Sequence, residues 1–241
     1  YARRLDASVL PAYRESLNSF NPTAREVLDV FSEVDGELVG SNPFACIQLQ
    51  SLLPAGTRLA TRTDLELLLA REPKYLSSAY VHFGVALHSS TGPNAHLAGG
   101  LMVLQLEEQR IPLGKGKLIP FSVLSLVEDA NSEYGLALTL KPEAKAAVTD
   151  LNLYKWDYPG SRGLAMAYLD RVSRWVSVGE GLDNSDDGGR VVVVSAEGAA
   201  QNVEALLAKR QTELKAKHDK QVAELEARFD KAKALLVLAN K

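Results

Sequence analysis

Apolar residues recur along this chain at three different spacings, and each spacing marks off a region. The first forty residues show helical spacing and predict two helices. In the second, Asn21 is a good N-cap, Pro22 suits the first helical position, and Val27, Val30, Phe31 and Val34 share one face before Gly36 and Gly40 bracket its end. From Ala45 to Leu140 the pattern is mostly strand-like. Ile47, Leu49 and Ser51 alternate with Gln48 and Gln50, which predicts a half-buried strand. One helix interrupts this region between Thr63 and Arg71, with Leu65, Leu68 and Leu69 on its apolar side and Pro73 ending it. Tyr80 to His88 is the clearest strand: Val81, Phe83, Val85 and Leu87 point one way, and Tyr80, His82, Gly84, Ala86 and His88 the other. That alternation makes Phe83 and Val85 core residues and leaves His82 and His88 outside the core. Leu101 to Leu106, Ile119 to Val127 and Tyr134 to Leu140 continue as strands, with a turn at Gly114 to Lys117.

Beyond the strands, Pro142 opens a short helix to about Asp150. Ser161 caps another, with Leu164, Tyr168, Leu169, Val172 and Trp175 as its apolar stripe. Gly179 to Gly189 is an acidic, glycine-rich loop. Val191 to Ser195 is a β-branched run of the kind found in a buried strand. These elements predict an α+β fold: a mostly antiparallel, meander-like central sheet flanked by N-terminal and late helices.

The last region carries a third spacing. Leu207, His218 and Phe229 recur every eleven residues, as do Leu214, Leu225 and Leu236, with Val222 on the same side. An eleven-residue period corresponds to about 3.67 residues per turn, a nearly straight or slightly right-handed coil. Glu213 to Lys217 and Glu224 to Arg228 are well-oriented i,i+4 pairs. The organisation expected is therefore a globular body over residues 1–198 and an extended, amphipathic, coiled-coil-like helix over 199–241. Such a helix persists only if its stripe is buried by another copy, by the body or by a different protein. His218 within the stripe, and Arg210 and Gln211 near its start, favour an interrupted or heterotypic contact. Leu214, Val222, Leu225, Phe229 and Leu236 are the expected partner-binding residues.

Composition narrows the class. With 46% hydrophobic and 24% charged residues over 241 positions, the chain can bury a sizeable core. Its longest aliphatic runs, such as Val191 to Val194, are only four residues, which excludes a membrane span in this sequence. Cys46 is the only cysteine, so no intrachain disulfide and no cysteine-cluster metal site can form, and a reducing, cytoplasmic setting is expected. The chain opens on Tyr1 rather than methionine, which leaves a removed targeting segment open. The net charge of −3 divides unevenly: residues 199–241 carry nine basic and six acidic side chains, a net +3, and the remainder stands at −6. Opposite signs favour docking of tail on body, within or between chains, or a tail reserved for an anionic partner.

Candidate chemistry is sparse. His82 and His88 on one straight strand would lie about 20 Å apart at ~3.3 Å per residue, too far to share an ion, and His96 adds no recognisable ligand spacing; no metal site is expected. Asp183, Ser185 and Asp187 with Gly188 open like a calcium loop, but Arg190 and Val194 stand where an apolar residue and a bidentate glutamate belong, so a flexible surface loop is expected. Gly114 to Lys117 is too short for a phosphate loop and reads as a solvated turn. Tyr154, Trp156 and Tyr158, extended, would share a face with Lys155 beside them. This ladder suits either stacked bases or packing on the sheet. No nucleophile elbow, zinc-protease pair or dinucleotide fingerprint occurs, and no cofactor is implied. The function expected is a non-catalytic binding or assembly protein that associates with other subunits through its C-terminal helix. The alternatives are a single-stranded nucleic-acid binder and an enzyme with a loop-assembled site.

Overall fold

Two Asn-Pro pairs set the start of two helices. In the computed structural model, which describes residues 2–88, 100–112, 116–151, 163–178 and 181–195, α1 (Leu10–Ser16) is followed by α2 (Pro22–Leu28). The Asn21 side chain accepts from the Ala24 amide at 2.9 Å, as its capping position predicts. The helix stops at Leu28 rather than running to Val34. Ser32–Val34 instead forms β2, which pairs with β3 (Glu37–Val39) through Asp35 and Gly36, both at positive φ. Asp-Gly favours this hairpin turn because each central residue must adopt the left-handed region.

Asn42 repeats the device. Its side chain accepts from the Ala45 amide at 2.7 Å, Pro43 occupies the first turn, and Pro43–Gln50 is α3, not the expected strand. Phe44, Ala45, Cys46, Ile47 and Leu49 are all buried, so this helix has almost no polar face and its period is lost in the apolar run. A similar correction applies to Leu101–Leu106, which lies within helix α5 (Gly100–Glu108): Met102, Val103 and Leu106 are buried while Leu101 and Leu104 are exposed. Between these, α4 (Arg62–Arg71) stands where expected. Thr61 and Asp64 form a capping box, and the helix ends two residues before Pro73.

The late apolar stripe is strand rather than helix. Leu164–Leu169 is β10 and Trp175–Val178 is β11, joined by a turn in which Asp170 Oδ1 accepts from the amides of Val172 and Arg174. A strand covered on both faces reads as a continuous apolar run, and the five buried residues Leu164, Ala165, Met166, Ala167 and Leu169 are such a run. With β5 (Val81–Leu87), β6 (Lys117–Pro120) and β9 (Thr149–Asp150) they make an antiparallel sheet of order β11-β10-β5-β6-β9. The helix expected from Pro142 is only a 3-10 turn to Ala146 before β9. Residues 113–115 lie outside the described residues, but Lys117 is not at a solvated tip. It is buried within β6 and paired with Asp150, its cross-strand partner.

The meander expected after β6 breaks up: β7 (Leu124–Glu128) and β8 (Leu136–Leu140) form a separate hairpin packed under α5. A three-stranded sheet, β1-β12-β4, joins β1 (Ala2–Arg4), β12 (Val192–Ser195) and β4 (Thr57–Leu59), with the β-branched run in its centre. The described body is thus α+β with antiparallel sheets.

One irregularity in β5 decides where its histidines point. Gly84 pairs with Ala167 but His82 pairs with Tyr168, so Phe83 is an extra residue on β5. Such a bulge exchanges the faces of the strand on its two sides. Val81 and Phe83 accordingly join one buried cluster with Ala86, whereas Val85 and Leu87 join the other with α3 and α5. His82 and His88 therefore face opposite sides, not the same side. Gly84 is required beside the bulge, since a Cβ there would lie 2.5 Å from the Ile119 carbonyl oxygen. Among the described residues no helix is long and apolar enough to cross a membrane.

Candidate functional site

β5 is buried along its whole length, with a core cluster on each face, and this corrects the expectation that His82 lies outside the core: the residue is 6% exposed, and the bulge sets which face it joins. Its Nδ1 is 2.9 Å from Ser41 Oγ, and Ser41 Oγ is 3.2 Å from Cys46 Sγ on α3. The setting of Cys46 is thus not purely apolar. Burial pushes His82 down to about 3, against a weaker opposing pull from Asp186, so the ring is neutral at physiological pH. Burial likewise pushes the Cys46 thiol up to about 12, partly offset by the Ser41 contact, and keeps it protonated.

His82 also lines a cleft of about 650 Å³. Its aromatic floor is built from three rings packed edge to face: Tyr80 to His82 at 5.2 Å between centroids, His82 to Tyr168 at 5.4 Å, and Tyr80 to Tyr168 at 6.1 Å. The β10–β11 turn supplies Arg171, Val172 and Arg174 to one lip. The loop at Asn184 to Asp186 supplies the other.

That loop lies on the surface, with Asp183 to Asp187 exposed, and is tied to the body from several directions. The Ser41 amide donates to Ser185 Oγ at 2.8 Å, and Asn42 Nδ2 donates to the Asp183 carbonyl at 3.0 Å. The Asp186 amide donates to the Tyr80 hydroxyl at 2.9 Å. Arg171 Nη2 donates to both Asp186 carboxylate oxygens at 2.6 Å, and its guanidinium lies 5.9 Å from the Tyr80 ring centroid. Across the turn, Arg174 Nε donates to Asp170 Oδ2 at 2.9 Å. Among the described residues no three of His, Cys, Asp and Glu converge as a metal site would require. Two smaller concavities, of about 410 and 270 Å³, lie elsewhere on the body and border no comparable buried polar group.

Of the residues singled out from sequence, only His82 and the 183–187 loop meet here. His88 is elsewhere, with Nε2 2.7 Å from the buried Ser177 hydroxyl and burial pushing the ring down to about 4. His96, the ladder of Tyr154, Lys155, Trp156 and Tyr158, and the stripe of Leu214, Val222, Leu225, Phe229 and Leu236 lie outside the described residues. Ser41, Tyr80, Tyr168 and Arg171 were not expected as site residues. The one signal for them was a histidine interrupting an apolar strand. Comparison of this chain with protein-family models, curated proteins and solved structures gives no match.

Proposed function

We propose that this chain is a non-catalytic binding protein whose body takes a small molecule into the His82 cleft and whose C-terminal segment associates with another chain. The observation that carries the first part is the state of the cleft's polar groups: its rim charges are paired with one another before any ligand arrives, which is the arrangement of a preformed site. An enzyme needs an activated group pointing at its substrate. Ser41, the hydroxyl nearest the imidazole, is fully buried behind the ring and does not border the cleft. The eleven-residue period of residues 199–241 supports the second part.

Ligand binding is tested on the full chain by saturation-transfer NMR with a panel of nucleosides, amino acids, sugars and dicarboxylates, followed by amide-shift mapping. One class is expected to bind unchanged and to shift Tyr80, Tyr168, Arg171 and Asn184 together. A panel that leaves all four unmoved, or a ligand that is converted to product, contradicts the reading.

A further inference from the structure

His82 has a second ring nitrogen, and its situation is unusual. Nδ1 is engaged by Ser41, while Nε2 has no hydrogen-bond partner among the described residues. Only Arg4 Nε and Gln109 Oε1 are fully buried side-chain polar atoms without a partner in the described body, so Nε2 must reach the surface, and the surface its ring borders is the cleft. A residue more than nine-tenths buried thus lines a preformed concavity while one of its ring nitrogens has no hydrogen-bond partner among the described residues. Unpaired polar atoms in such positions are costly unless water or a ligand completes them.

We infer that His82 Nε2 is the recognition atom of the cleft, and that the ligand it takes is a planar, uncharged heteroaromatic ring bearing a hydrogen-bond acceptor, the chemistry of a nucleobase. This rests on the reading of the cleft as a binding site. The direction of the hydrogen-bond chain decides the sign of the contact. The chain has two self-consistent directions. In the one proposed, the Cys46 thiol donates to Ser41 Oγ, the Ser41 hydroxyl donates to Nδ1, and the neutral imidazole carries its proton on Nε2; the reverse chain would put the proton on Nδ1. A ligand must then accept, as a base carbonyl or ring nitrogen does.

The surroundings define the rest. Tyr80 and Tyr168 flank the imidazole, and Arg171 and Met166 add a planar cation and an apolar wall, all suited to the face of a flat ring. The exposed Asn184 carboxamide has no hydrogen-bond partner among the described residues and offers one donor and one acceptor edge, the pair that reads base edges. Anions are disfavoured because both rim arginines are paired with carboxylates, Arg171 with Asp186 and Arg174 with Asp170, which leaves the lining without net charge. Ser41 and Cys46 touch no ligand and act as positioning residues for the imidazole.

The test is long-range 1H–15N spectroscopy of the His82 ring in the full chain, with adenosine, guanosine, cytidine, uridine, a short single-stranded DNA and inorganic phosphate as probes. The free protein is expected to show the Nε2–H tautomer, and at least one nucleoside to shift Nε2 while phosphate does not. His82→Leu should weaken that nucleoside at least ten-fold. Ser41→Ala should weaken it several-fold and mix the tautomers, a spectroscopic change that loss of packing alone does not produce. A shift caused by the oligonucleotide and not by free nucleosides supports the same contact with a strand as the source of the base. If neither moves Nε2, or the ring is the Nδ1–H tautomer, the inference is overturned. Sugars, amino acids or dicarboxylates then decide the broader reading: binding of one of them at Tyr80 and Tyr168 leaves the cleft a binding site for another class, and binding of none removes that reading too.

Discussion

Truncating Phe83 to alanine is expected to cost about 3–5 kcal/mol, the range for a large aromatic removed from a close-packed core. Phe83 is 1% exposed and its ring meets Trp175 edge to face at 5.5 Å between centroids, so the truncation removes both apolar burial and an aromatic contact. His82→Ala, which a strand exposed on the His82 face would make nearly harmless, is expected to cost about 1–3 kcal/mol because it empties a buried site and leaves the Ser41 hydroxyl with only the Cys46 sulfur as partner. Urea unfolding with unchanged slope measures both. Equal, small losses at the two positions would contradict the bulged register.

Acid is expected to destabilise the body well above the pH at which carboxylates titrate. The unfolded chain binds a proton at His82 near pH 6.5 and the folded chain refuses it until about 3, so stability is full above 6.5 and is lost as the pH falls through that window. The loss from His82 alone approaches about 1.4 kcal/mol per pH unit, or roughly 2–3 kcal/mol by pH 4.5. His88, held down to about 4 and partly open to solvent, adds a smaller loss of the same sign. Asp6, Glu37 and Asp64 all titrate below the ordinary carboxylate range in the folded body and contribute only at lower pH. Unfolding free energies of the native chain and of His82→Leu between pH 7 and 4.5 check this. The variant should show the shallower slope, and identical slopes would place the His82 ring outside the buried position described.

What the sequence made legible depends on how local each signal is. The leucines before Pro73 place α4 to within a residue, although its start is set by the Thr61–Asp64 capping box, which was not among the expected signals; Asn21-Pro22 acts within four residues, and its helix starts where it indicates. Asn42-Pro43 carries the same signal, but the alternation of Ile47 and Leu49 with glutamines masks it. A helix buried on nearly every side and a half-buried strand can present the same short run. The opposite confusion, helix for strand at Leu164–Leu169, arises because a strand covered on both faces loses its alternation. The bulge at Phe83 has no local signature, since it is set by where Ala167 and Tyr168 pair, and the orientation of His82 depends on it.

The cleft is hidden in the sequence for a related reason. Ser41 and Ser185 are 144 residues apart, Tyr80 and Asp186 are 106 apart, and no spacing rule joins them. His82 is visible as a histidine in an apolar strand, and the loop at Asp183 to Gly188 as a cluster of turn-forming residues. Their convergence depends on pairings between distant segments, such as the bridges of Tyr80 with Gly189 and of Val39 with Arg190.

In the proposed division of labour, the body folds and binds ligand while the terminal segment joins it to another chain. Size-exclusion chromatography with light scattering, paired with circular dichroism, on the full chain and on a chain ending after Gly198 tests that division most directly. The full chain is expected to run as an assembly and the shortened chain as a folded species of lower mass. A shortened chain that unfolds without any change in association state would make the terminal segment part of the core and contradict the proposal.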